Sequence, residues 1–126
     1  MRISDRELIG QAKSKGYLTA KWGKTDAVEE EYYKWCEKGD FPLIKAYGGS
    51  KFSQVSIDMI TSSYDLDKEG QKRIGEVFRK YTRKPSSVGI GHGYCSVDAV
   101  PNDSVDILAG EIISIYGACR VKRGES

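Results

Sequence analysis

The chain has 126 residues and 14.0 kDa, with 39% hydrophobic and 30% charged side chains and a mean hydropathy of -0.51. That balance predicts a single compact domain over residues 1–126 and excludes a disordered or fibrous chain. No run of about 18 apolar residues offers a membrane span, no charged-then-apolar leader is present, and three irregularly spaced cysteines define no disulfide framework, which points to a cytoplasmic protein with no membrane partner.

The net charge of +2 is unevenly spread. Residues 1–50 hold nine basic and eight acidic side chains, residues 51–86 eight and five, and residues 87–126 three and five. Only the middle segment and Arg120, Lys122 and Arg123 are candidates for an anionic partner.

Ser4-Asp5-Arg6-Glu7 fits a capping box, with Leu8, Ile9 and Ala12 on one face and Gly16 as a stop, so a helix is expected over 5–15. Tyr17–Trp22 reads as a short strand or connector. A second helix over 26–38 starts at Asp26 or Thr25 and carries Val28, Tyr32, Trp35 and Cys36 as one apolar stripe. Its acids fall in the first turn and its lysines near the last, as the helix dipole favours. Asp40-Phe41-Pro42 reads as a fresh start, giving a short helix over 41–47 that Gly48-Gly49 ends.

Residues 51–60 fit either periodicity. Their Ser, Val and Ile content favours a strand. Leu66, Ile74, Val77, Phe78 and Tyr81 mark a helix over 66–83, capped by Asp65 or Asp67 and closed by Pro85. Beyond the glycine-rich 87–93, three strands are expected over 94–100, 105–108 and 112–121, an antiparallel meander turned at Pro101–Ser104 and Ala109-Gly110. The rival is a helix over Val105–Tyr116, since Val105, Leu108, Ala109, Ile112 and Tyr116 are helically spaced. The fold class that follows is α+β: three to four short helices on a small antiparallel sheet from the C-terminal third.

Gly89, Gly91, His92 and Gly93 form a candidate ligand loop, because alternate glycines let backbone amides approach an anion. A strand rather than a helix follows it, so the dinucleotide fingerprint fails. Gly23-Lys24-Thr25 lacks the earlier glycine that a phosphate loop requires, since Leu18 stands there. His92 and Cys95 have the residue types of a thiolate–imidazole pair, but positions three apart on a regular strand face opposite sides. These two with Cys36, Cys119 and Asp98 lack the paired spacing of a structural zinc site. No catalytic residue, metal or cofactor is assigned.

The 66–84 segment carries Lys68, Lys72, Arg73, Arg79, Lys80, Arg83 and Lys84, which with Arg120, Lys122 and Arg123 could meet a phosphate backbone. Residues 41–47 and 51–60 also admit a weak helix-turn-helix reading, with Ser53, Gln54 and Ser56 toward base edges. Tyr17, Trp22 and Tyr33 are candidate aromatic anchors of a protein interface. The expectation is a small intracellular, non-enzymatic binding protein. It would be a regulator or inhibitor occupying a protein or protein–nucleic-acid partner, of a size common among phage and mobile-element accessory proteins, and a homodimer is compatible with it. Nucleic-acid binding through the basic helix and tail is the alternative, and nucleotide or small-anion binding or processing at the 89–93 loop the second.

Overall fold

The computed structural model describes residues 34, 36–38 and 40–124. The expected 5–15 helix, the Tyr17–Trp22 segment and most of the 26–38 helix lie outside the described residues. Lys34 and Cys36–Lys38 are helical, as expected. That helix ends in a Schellman arrangement: Phe41 N donates to Cys36 O at 2.9 Å and Asp40 N to Glu37 O at 3.3 Å. Asp40 takes the left-handed position at φ 62°, and its carboxylate accepts from Ser63 N at 2.6 Å. The Asp-Phe-Pro signal therefore closes one helix rather than opening another.

The expected 41–47 helix is instead strand β1 (Leu43–Gly48), hairpinned to β2 (Phe52–Asp58). Pairing pins Ile44 against Ile57 and Ala46 against Val55, all buried. The strand preference over 51–60 holds, and the helix-turn-helix reading falls because both its segments are strands of one hairpin. Asp58 caps a 3-10 turn at Met59–Thr61. Then follow β3 (Tyr64–Leu66), α1 (Lys68–Tyr81), β4 (Tyr94–Pro101), α2 (Val105–Cys119) and β5 (Arg120–Lys122). Among the described residues, one antiparallel sheet has the order β1-β2-β4 and a second pairs β3 with β5. The larger sheet thus draws two of its three strands from the middle of the chain, not from the C-terminal third.

The meander is overturned beyond β4. No strands form at 105–108 or 112–119; α2 occupies both, and only Arg120–Lys122 of the expected last strand is extended. Val105, Leu108, Ala109, Ile112, Ile113, Ile115, Tyr116 and Cys119 are all buried by that helix. The β-branched side chains disfavour a helix by only a few tenths of a kcal/mol each, and burying two helix faces outweighs that.

One sheet face carries the core. Val55, Ile57, Cys95, Val97 and Val100 lie beneath Ile74 and Phe78 of α1 and Leu108, Ile112 and Tyr116 of α2. Asp67 caps α1 by accepting from Gly70 N at 2.7 Å, and its own amide donates to Cys119 O at 3.0 Å, so the start of α1 is tied to the end of α2. β4 bulges at Asp98–Ala99, two residues that oppose Gln54 alone, with Ala99 at φ 57°. The freed backbone groups are taken up by the segment after α1. Thr82 Oγ1 donates to Asp98 O at 2.5 Å, Arg83 N to Ala99 O at 2.9 Å, and Asp98 N to Ser87 Oγ at 2.9 Å.

Candidate functional site

Where α1 and α2 run side by side, their outward edges leave a groove of about 700 Å³. From α1 it is lined by Arg73, Glu76, Val77 and Lys80, and from α2 by Ile107, Gly110, Glu111, Ser114 and Ile115. Both sets have the i, i+3, i+4, i+7 spacing of one helix edge. Gly110 and Ser114 keep the α2 wall low, and Val77, Ile107 and Ile115 form the apolar floor. Ile107 is 59% exposed, the second most exposed large apolar side chain described.

Charges of both signs rim that floor. Lys80 Nζ reaches across to Glu111 Oε1 at 3.2 Å and lies 5.0 Å from the centre of the Tyr81 ring. The Glu111 contact, first as a hydrogen-bond acceptor, holds the Lys80 ammonium above its ordinary pKa. Glu111 also draws on the phenolic proton of Tyr81 and, with burial second, raises that pKa. Glu111 Oε2 is shut from solvent and has no hydrogen-bond partner among the described residues. At one end Arg73 Nη1 donates to Cys119 Sγ at 3.3 Å.

The expected basic face of 68–84 is thereby divided. At about 100° per residue, Lys68, Lys72 and Arg79 fall on one stripe, Glu69 and Glu76 lie roughly 70° further round, and Arg73 and Lys80 stand beyond them in the groove. Arg83 and Lys84 are exposed past the helix end. The C-terminal cations are built into the fold. The Arg120 guanidinium stacks 4.8 Å from the Tyr64 ring and 5.6 Å from Tyr116. Arg123 donates to Met59 O, Tyr64 O and the Asp65 carboxylate, all within 3.3 Å. Lys122 alone of the three has an exposed side chain with no such partner among the described residues.

The 89–93 loop points its carbonyls inward. Met59 N donates to Gly93 O, Leu66 N to His92 O, and the Cys95 thiol to Gly91 O at 3.3 Å, while Gly89 exchanges two hydrogen bonds with Ser96. The loop clips β3 and the 3-10 turn to β4. His92 is exposed and Cys95 is fully buried. Burial pushes the Cys95 thiol up, opposite to what a nucleophile needs. No group of three or more His, Cys, Asp or Glu able to hold a metal occurs among the described residues. Tyr17, Trp22 and Tyr33 lie outside them.

Sequence reasoning reached Arg73 and Lys80 but not Val77 as a floor residue, nor Ile107, Gly110, Glu111, Ser114 or Ile115. Those five are lost when 105–121 is read as strands; the helical spacing of Val105, Leu108 and Ile112 was the signal that carried them. Compared with protein-family models, curated proteins and solved structures, the chain has no match.

Proposed function

We propose that the chain is a small non-enzymatic binding protein, a regulator or inhibitor that occupies a protein or nucleoprotein partner, seating a segment of the partner's protein in the α1–α2 groove. The observation that carries this reading is an apolar lining, with Ile107 exposed and Val77 half-buried, beside a rim of both charges. A nucleic-acid channel needs one sign of charge, whereas a groove with Arg73 and Lys80 beside Glu76 and across from Glu111 suits a polypeptide. The fitting occupant presents an apolar side chain to Ile107 and Val77, and beside it groups that complement the rim charges of Arg73, Glu76, Lys80 and Glu111.

Other observations favour the cell interior over the exterior and weigh against the 89–93 loop as the seat. Cys95 and Cys119 are buried and in no disulfide among the described residues, as a reducing compartment such as the cytoplasm allows. No described helix is long and apolar enough to cross a membrane. The inward carbonyls of the 89–93 loop give little support to an anion site there.

The test is affinity capture from the native cell by wild type and by Ile107→Asp, followed by reconstitution with the purified partner. Ile107 is exposed enough for the variant to fold, and its partner affinity should fall at least tenfold, about 1.4 kcal/mol. A reconstituted partner bound equally well by Ile107→Asp, with the Tm unchanged, would show that the groove is not the seat.

A further inference from the structure

We infer that the other exposed stripe of α1, formed by Lys68, Lys72 and Arg79 and extended by Arg83 and Lys84, is a contact surface for the phosphate backbone of a nucleic acid. The inference is independent of the groove reading and concerns the opposite flank of the same helix. All five side chains are exposed, and none forms an ion pair or a side-chain hydrogen bond among the described residues. That separates them from Arg73, Lys80, Arg120 and Arg123, each of which already has an acceptor or ring to engage.

Shape supports charge. A hollow of about 240 Å³ lies over Gly75, lined by Gln71, Lys72, Arg79 and Ile90, with no carboxylate in its wall. Because residue 75 has no Cβ, Arg79 folds back over the helix: a Cβ there would lie 3.3 Å from Arg79 Nη1 and 3.6 Å from Ile90 Cγ1. Lys72 and Arg79 thus flank a concavity large enough for a phosphate group. The row is also long. At 1.5 Å per residue, Lys68 and Arg79 are about 16 Å apart along the axis, and Arg83 and Lys84 lie further on. One phosphate needs far less than this, whereas successive phosphates of a strand, about 3.4 Å apart along a duplex axis, use all of it. Glu69 and Glu76 stand on the groove side of the stripe, away from the hollow between Lys72 and Arg79.

The experiment is fluorescence anisotropy of the full chain with a labelled mixed-sequence oligonucleotide of about 20 nucleotides, single-stranded and duplex, from about 50 to 200 mM salt. Five phosphate contacts predict a log–log salt slope of roughly -3.5 to -4.5. The triple variant Lys68→Ala/Lys72→Ala/Arg79→Ala should reduce the slope by two to three, while Arg73→Ala/Lys80→Ala in the groove should leave it in place. Polyglutamate of matched length and free inorganic phosphate are the competing probes. The inference is overturned if no binding occurs at the lowest salt, if the triple variant binds like wild type with its Tm intact, if polyglutamate binds as tightly through the same three residues, or if inorganic phosphate saturates the site at concentrations where the oligonucleotide does not.

Discussion

Two glycines in α1 should respond to alanine with opposite signs. At Gly75 the added Cβ meets only the mobile tip of Arg79 at 3.3 Å and Ile90 Cγ1 at 3.6 Å. The helix then gains the propensity difference of alanine over glycine, about 0.5–1 kcal/mol. At Gly70 the Cβ would stand 2.7 Å from Cys119 Cβ and 3.1 Å from Leu66 Cδ2, against a carbon–carbon optimum of about 3.5–4.0 Å. The helices must part by most of an ångström. The Asp67 N–Cys119 O bond at 3.0 Å and the Asp67 cap on Gly70 N resist that movement. Overpacking costs about 1–3 kcal/mol and the propensity gain returns less than 1, so Gly70→Ala should be destabilising by about 1–2 kcal/mol. Urea melts with unchanged m-values measure both variants. On a domain of this length, 1 kcal/mol moves Tm by about 4 °C. Cys119→Gly, which removes the opposing Cβ, should recover part of the loss when combined with Gly70→Ala. If Gly70→Ala is as stable as wild type, or if Gly75→Ala loses more than 1 kcal/mol, the helix contact described here is wrong.

The bulge and the buried thiol supply two more expectations. Ala99 holds φ 57°, a conformation that costs an L-residue about 1–2 kcal/mol; Ala99→Gly should therefore be neutral to stabilising by about 0.5 kcal/mol, and Ala99→Val destabilising by more than 1, both read by thermal melts. The raised pKa of Cys95 means the folded state favours the neutral thiol. Its contribution is complete below the unfolded value near pH 9 and is lost as pH rises through the higher folded value, with Tyr81 and then Lys80 adding losses of the same sign at still higher pH. Stability should decline from about pH 9 upward, Cys95→Ala should flatten the first part of that decline, and native Cys95 should resist iodoacetamide. An unchanged alkaline slope in Cys95→Ala contradicts the burial account.

What was legible in the sequence were the features decided by neighbours along the chain. The Asp67 cap, the stripe Ile74–Phe78–Tyr81 and the stop before Pro85 are local, and α1 follows them. The misread segments were decided by distant partners. Leu43–Gly48 becomes a strand because β2 pairs with it, and the proline at 42 is compatible with either outcome. Val105–Cys119 resembles strands because isoleucine and valine dominate it, yet helix α2 buries two of its faces at once, which erases the simple amphipathic signal. The groove was invisible for the same reason: half its wall belongs to the misread segment. The division of the basic residues was hidden too, since the sequence counts cations without revealing that Arg120 and Arg123 are spent on Tyr64, Tyr116 and Asp65.

Helix α1 is the element that the two proposed surfaces share. Its buried edge, Ile74 and Phe78, joins it to the sheet and to α2. One exposed edge contributes Arg73, Val77 and Lys80 to a groove suited to polypeptide, and the other contributes Lys68, Lys72 and Arg79 to a row suited to phosphates. Glu69, and Glu76 on the groove's own rim, stand between the basic row and the groove cations. A helix so divided can touch the protein and the nucleic acid of one nucleoprotein partner at once, and linking two weak contacts in this way raises affinity by effective concentration without any new bond. The two surfaces are separable by Ile107→Asp on one side and the Lys68/Lys72/Arg79 triple alanine variant on the other. Each variant alone should weaken capture of a nucleoprotein partner, and the double variant should weaken it far more than either.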